Sequence, residues 1–152
     1  MTRLATVNDI TAIIELGRRI ASFSFSKAQV HDLTARKHLA QAINDHTQIV
    51  LVAEHKGQVV GFLVGAVIPY WFSKDKFATD LAFYCHEQHG NYAPFLAKKF
   101  ISWATKQPKV IDVTMAVSTG IKHQGRIGKL YEKVGMTNVG GVYTKLIGIE
   151  HE

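Results

Sequence analysis

The segment from Asp80 to Phe100 constrains the fold more than any other part of the chain. An apolar run at residues 81–85 is followed by a short polar turn and then by a helix-like pattern of apolar side chains. A strand that passes through a tight turn into a helix directs backbone N–H groups toward one point, where the helix N-terminus adds about half a positive charge. The segment therefore predicts an α/β fold with a phosphate-binding turn.

Length and composition predict one domain that spans residues 1–152. The 152 residues are 47% hydrophobic, which is enough to form a core. No apolar run approaches the roughly 20 residues that a membrane-spanning helix needs, and the first residues lack the long apolar stretch of a secretory signal. We therefore expect a soluble, cytoplasmic domain with no membrane contact.

The charge balance favours an anionic partner. The formal net charge is +6, and the sequence pI is about 9.5. The basic residues are scattered along the chain, and the aromatic residues that would stack on single-stranded nucleic acid are not interleaved with them. The partner could be nucleic acid or, equally, a phosphorylated small molecule, and the charge alone does not choose between them.

The pattern along the chain predicts a three-layer α/β fold. Its central sheet is mixed but mostly antiparallel and twisted, with about seven strands flanked by about four helices. A glycine turn at Gly57 joins two β-rich runs into a hairpin. The predicted strands are residues 2–5, 48–54, 59–68, 77–85, 110–117, 137–139 and 142–147, and the main predicted helices follow residue 8 and cover 27–43, 93–107 and 124–134.

Two motifs carry a resemblance to a known family. Residues 88–93, which read Gln-His-Gly-Asn-Tyr-Ala, resemble a Gln/Arg-x-x-Gly-x-Gly/Ala phosphate turn, and residues 130–136 read Leu-Tyr-Glu-Lys-Val-Gly-Met. With the order of elements, they resemble the GNAT acyltransferase superfamily over essentially the whole chain. Asn91 stands where the family pattern has glycine, although asparagine tolerates left-handed backbone better than most residues.

The resemblance implies acetyl-CoA as co-substrate and an amine as acceptor. Its pyrophosphate is expected on the N–H groups of the turn, and its pantetheine arm is expected along the edge of the strand at 81–85, where a main-chain N–H near Tyr84 or Cys85 polarises the thioester. The residues expected to bind this cofactor are Phe83, Tyr84, Cys85, Gln88, His89, Gly90, Asn91, Tyr92, Ala93 and Lys129.

The resemblance also implies two catalytic residues. Asp80 stands where several members of the family place a general base, and Tyr131 matches a tyrosine that protonates the leaving thiolate. The alternatives are an aspartate that hydrogen-bonds the preceding loop and a tyrosine that packs beneath the cofactor. His86 and Glu87 are further candidates for the base.

Other chemistry has less support in the sequence. Cys85 lies in an apolar strand with no adjacent base, so direct transfer is expected rather than a covalent intermediate. The histidines do not show a third ligand at a spacing typical of a metal site, so no metal is expected. Tyr70, Trp71, Phe23 and Phe25 are candidates to line the acceptor site.

Two non-enzymatic interpretations remain open. Short stretches such as residues 117–121 and 139–143 resemble small GNAT-type proteins encoded by bacteriophages, and such a protein could serve as a virion or interaction component, with phage virion proteins or a second copy as partner. The second interpretation is a basic nucleic-acid-binding module, which only the positive charge favours. The identity of the acceptor cannot be read from the sequence.

Overall fold

The structure, a computed structural model, describes residues 1–117 and 124–148. Within these ranges the chain forms one mixed sheet and α-helices on both of its faces. The strands are β1 (Thr2–Leu4), β2 (Gln48–His55), β3 (Gln58–Pro69), β4 (Lys76–Cys85) and β5 (Val110–Thr114), and the helices are α1 (Ile10–Phe23), α2 (Asp32–Asn44), α3 (Ala93–Thr105) and α4 (Gln124–Lys133).

The sheet is built outward from the predicted hairpin. Its order is β1-β2-β3-β4-β5, and the first three pairs are antiparallel, whereas β4 and β5 are parallel. The turn between β2 and β3 has Lys56 at φ 50° and Gly57 at φ 80°, a left-handed pair that matches the twist of a two-residue hairpin. The predicted hairpin and the mostly antiparallel sheet are confirmed.

Two irregularities in β4 create an opening in the sheet. The β3–β4 register shifts between Gly65↔Asp80 and Val64↔Ala82, so Leu81 is an extra residue, a β-bulge with no partner on β3. On the other side, the parallel pairing with β5 ends at Thr79. In the part of the chain that the structure describes, the second half of β4 therefore has one free edge.

Each face of the sheet carries its own hydrophobic core. On one face α1 and α2 pack over side chains of β2 and β3 such as Val52 and Phe62. On the other face α3 places Leu96 and Phe100, both fully buried, over Leu63. The two cores give the three layers that the sequence predicts.

The second helix begins later than its periodicity indicates. The sequence predicts a start at residue 27, whereas α2 begins at Asp32. Ser24 is extended, with ψ 155°, and His31 is also extended and accepts a hydrogen bond from the Thr34 N–H through its side chain. A side chain that satisfies a free N–H of the first turn fixes the start of a helix, and here it is a histidine.

The two predicted C-terminal strands do not form. Residues 137–139 and 142–147 lie outside any helix or strand, and Val139 and Tyr143 are 94% and 99% exposed. Strand propensity stabilises a strand only when cross-strand neighbours bury its side chains. This segment has no ladder partner among the described residues, so the described sheet has five strands where the sequence predicts about seven.

Gly65 tests how tightly the α3 face is packed. A Cβ at this position would lie 2.3 Å from Cε2 of Phe100, and Phe100 is fully buried and cannot move aside. We expect Gly65→Ala to lower the free energy of unfolding by about 1–3 kcal/mol in urea titrations.

Gly128 is the matched control. It lies inside α4 and a Cβ there would meet nothing within 4 Å, so Gly128→Ala should raise stability by about 0.5–1 kcal/mol through helix propensity. Equal effects of the two substitutions would contradict the close approach of Gly65 to Phe100.

Candidate active site

Asp80 lies where β4 separates from β5. It is the next residue after the final β4–β5 pair, and its Oδ1 accepts a hydrogen bond from the Ala116 N–H at 3.2 Å. Burial raises the pKa of Asp80 to about 6, and the N–H of Ala116 opposes that rise by stabilising the charged form. At neutral pH the carboxylate is mostly ionised and still basic enough to accept a proton.

Tyr131 reaches the same residue from α4. Its side chain is 7% exposed, and its O–H donates to the Ala116 carbonyl oxygen at 3.0 Å. Burial raises the pKa of Tyr131, and the negative charge of Asp80 raises it further. The phenol therefore keeps its proton at neutral pH, and the two predicted catalytic residues are brought together through one peptide segment.

The predicted phosphate turn is a 3₁₀ helix that leads into α3. It covers Glu87–Tyr92, and α3 begins at Ala93 with a proline in its first turn. Asn91 does not have positive φ, so it needs no left-handed backbone and replaces glycine without strain. Gly90 and Asn91 are exposed at the tip of the turn.

Several N–H groups of the turn already have partners. The Gln88 N–H donates to His86 Nδ1, and the His89 N–H donates to the His86 carbonyl oxygen. The Ala93 N–H donates to the carbonyl oxygen of Gly90. A phosphate on this turn would therefore use the remaining N–H groups and the α3 N-terminus. The predicted roles of Gln88, His89 and Ala93 in cofactor binding stay predictions.

Imidazole rings surround this turn, including one that the sequence analysis missed. His55, at the end of β2, has its Nδ1 2.9 Å from the Tyr92 hydroxyl, and its ring centre is 4.7 Å from that of His89. His86 lies 5.9 Å from His89 on the other side. Partial burial, together with the charges of His55 and His86, lowers the pKa of His89. No local pattern indicates His55, because its partner Tyr92 lies 37 residues further along the chain.

The end of β4 alternates between the two faces of the sheet. Phe83 and Cys85 pack against the core beneath α3, and Tyr84 is buried in the core beneath α1 and α2. Burial raises the pKa of the Cys85 thiol to about 12. The thiol stays protonated at neutral pH, so the geometry gives no support to a Cys85 nucleophile.

The other candidates for the base are held differently. Glu87 is exposed and forms an ion pair with Arg19 at 3.0 Å, and its pKa is lowered by its own backbone N–H and by Arg19. His86 accepts from the Gln88 N–H, which makes it part of the turn. Lys129 is exposed on α4, on the same helix as Tyr131.

Two of the aromatic residues predicted for the acceptor site, Tyr70 and Trp71, lie in the β3–β4 loop. The Tyr70 hydroxyl donates to Asp112 on β5, and Tyr70 contacts the rings of Phe72 and Phe77 in and beside the β3–β4 loop. This loop adjoins the N-terminal end of β4, whereas the bulge lies in its second half. Trp71 is 93% exposed in the same loop, and Phe25 is 43% exposed; the side chain of Phe23 lies outside what the structure describes.

Residues 1–117 and 124–148 lack two further features, a metal-binding cluster and a membrane-spanning helix. These ranges contain no group of three or more His, Cys, Asp or Glu side chains placed to hold a metal ion. They also contain no helix that is long and apolar enough to cross a membrane.

The fold is similar to that of several solved acetyltransferases. A ribosomal-protein-alanine N-acetyltransferase from Brucella melitensis biovar Abortus 2308 superposes with a TM-score of 0.70 at 18% identity, over 97% of this chain and 98% of that one. A putative acetyltransferase from Agrobacterium tumefaciens str. C58 gives 0.73 at 18%, over 96% and 99%. An aminoglycoside acetyltransferase from an uncultured soil metagenomic sample gives 0.70 at 18%, over 99% and 96%.

These likenesses establish the fold. The shared architecture covers nearly the whole of this chain and of each of these acetyltransferases. No protein-family model matches the chain, and no curated protein matches it in sequence. The chemistry must therefore be argued from the residues themselves.

The raised pKa of Asp80 predicts a pH-dependent stability difference. Folding raises this pKa from 3.8 to about 6, so the carboxyl contributes its full stability below pH 4 and loses it as pH rises through 6. Asp80→Asn keeps an oxygen for the Ala116 N–H and removes the charge. We expect the variant to match the parent near pH 4 and to exceed it by on the order of 2–3 kcal/mol at pH 8.

Urea titrations of both proteins at intervals from pH 4 to pH 8 measure this difference. A constant difference across that range would show that Asp80 titrates alike in the folded and unfolded chains.

Proposed function

We propose that this protein is an acyltransferase that moves an acetyl group from acetyl-CoA directly to an amine. One observation carries the proposal. Asp80 and Tyr131, a proton acceptor and a proton donor, bind the N–H and the C=O of Ala116 at the point where β4 leaves β5. The similarity to solved acetyltransferases supports the same chemistry at the level of fold.

The donor would occupy the opening between β4 and β5. Its pantetheine arm would pair with the free edge of β4 near residues 83–85, and its pyrophosphate would lie at the turn before α3. Cys85 offers a main-chain N–H for the thioester carbonyl. The His86 N–H donates to the Val60 carbonyl oxygen on β3, and successive residues of an antiparallel strand turn their N–H groups to opposite edges, so that of Cys85 faces the free edge.

The reaction balances with these groups alone. The neutral amine nitrogen attacks the thioester carbon, a C–N bond forms and the C–S bond breaks. Asp80 accepts the proton from the amine through a water molecule, and Tyr131 gives its proton to the leaving sulfur. The products are an acetylated amine and free coenzyme A.

A non-catalytic role is the second candidate function. The segment after α4 exposes Val139, Val142, Tyr143 and Ile147, each at least 62% exposed, and exposed apolar side chains of this kind are typical of an interaction surface. This favours an interaction component, such as a phage virion protein or one half of a homodimer. Nucleic-acid binding has only the net charge of +6 in its favour.

The activity test mixes the protein with acetyl-CoA and a panel of amines and follows free thiol. We expect kcat/KM to rise with pH through about 6, because Asp80 must be ionised to accept a proton. Asp80→Asn should lower the rate by about 10²- to 10⁴-fold, and Tyr131→Phe by about 10²-fold, with acetyl-CoA affinity nearly unchanged.

Asp112→Asn is the matched control, since it makes the same chemical change at an exposed carboxylate of β5 that takes no part in the proposed steps. Parental rates in Asp80→Asn and Tyr131→Phe, or an equal loss in all three variants, would contradict the assignment. If calorimetry detects no acetyl-CoA binding at millimolar concentration, the interaction role replaces the enzyme.

A further inference from the structure

A cavity of about 470 Å³ lies between α1, α2 and the sheet. Its floor is the hydrophobic core of that face, where Ile13, Phe62 and Val64 are each at most 5% exposed. Polar groups occur among the lining residues only on α2 and the segment before it, and they are Gln29, His31, Thr34 and His38. A volume of this size, with an apolar floor and a few polar groups, is typical of a small-molecule site.

The charge around the cavity does not suit a polycation. None of its described lining residues is Asp or Glu. On α2, the carboxylate of Asp32 follows the lining residue His31 in the sequence. It forms ion pairs with Arg36 at 2.7 Å and with Arg18 at 3.5 Å. Because no described lining residue carries a carboxylate, the cavity offers no ion-pair partner to a ligand with several ammonium groups.

The cavity reaches the proposed site of acetyl transfer. Leu81 and Ala82 of β4 line it, and Leu81 is the bulge residue that directly follows Asp80. The Leu81 side chain is 51% exposed, so an apolar group in the cavity would cover a leucine that water otherwise contacts.

We infer that the acceptor is an amine attached to one apolar group, aromatic or branched aliphatic, and that this group lies in the cavity between α1 and α2. The inference rests on the proposed acetyl transfer and adds the class of acceptor. It excludes polyamines and aminoglycosides as preferred substrates, although one structural neighbour is an aminoglycoside acetyltransferase.

Three amines test the inference on the unmodified protein: phenethylamine, ethanolamine and spermidine. We expect kcat/KM for phenethylamine to exceed that for each of the others by about 10- to 100-fold. Only phenethylamine carries a phenyl group, and binding in the cavity would remove that group from water. Calorimetry with phenethylamine alone, without acetyl-CoA, should show saturable binding. A preference for spermidine or ethanolamine would overturn the inference and leave the acetyl transfer standing.

A matched pair of variants locates the binding. Ala35 lines the cavity from α2, and Ala35→Phe should weaken phenethylamine binding at least tenfold by filling it. Gln41 is exposed on the same helix, and Gln41→Phe should leave binding unchanged. Circular dichroism checks that both variants fold.

The two ideas fail in different ways. If phenethylamine binds and Ala35→Phe weakens that binding, but no amine is acetylated, the acetyl transfer is wrong and with it the acceptor role. If phenethylamine shows no saturable binding to the parent protein, or binds both variants equally, the cavity does not hold the acceptor.

Discussion

The separation of β4 from β5 is the constraint on which the site depends. The parallel pairing ends at Thr79, and beyond it the peptide groups of Ala116 bind Asp80 and Tyr131 in place of a continued ladder. β4, α4 and the segment that follows β5 therefore meet at Ala116. The same divergence frees the edge of β4 after Thr79, and on the other side of the strand Leu81 alone lacks a partner on β3.

Local signals were sufficient for much of this arrangement. The glycine turn predicts the β2–β3 hairpin, Gly135 marks the end of α4 with φ 93°, and the turn before α3 follows an apolar run as expected. The bulge at Leu81 depends on how β4 pairs with β3, and the contact of His55 with Tyr92 joins residues 37 positions apart, and no local pattern records either. The final strands fail because their side chains find no neighbours to cover them.

Burial raises the pKa of both Asp80 and Cys85, with different consequences at neutral pH. The pKa of Asp80 rises to about 6, so its carboxylate is mostly ionised and can accept a proton. The pKa of Cys85 rises to about 12, so its thiol stays protonated and is a poor nucleophile. The fold alone, shared at 18% identity with acetyltransferases of different named substrates, does not select an acceptor.

Hydrogen exchange of the backbone amides, with and without acetyl-CoA, tests the central claim most directly. The account predicts slower exchange at two places, the free edge of β4 at residues 81–85 and the turn at residues 88–93, with the β1–β2 pairing unaffected as an internal reference. If saturating acetyl-CoA leaves the exchange rates of both segments unchanged, or slows exchange in a different part of the chain, the active site does not lie between β4 and β5.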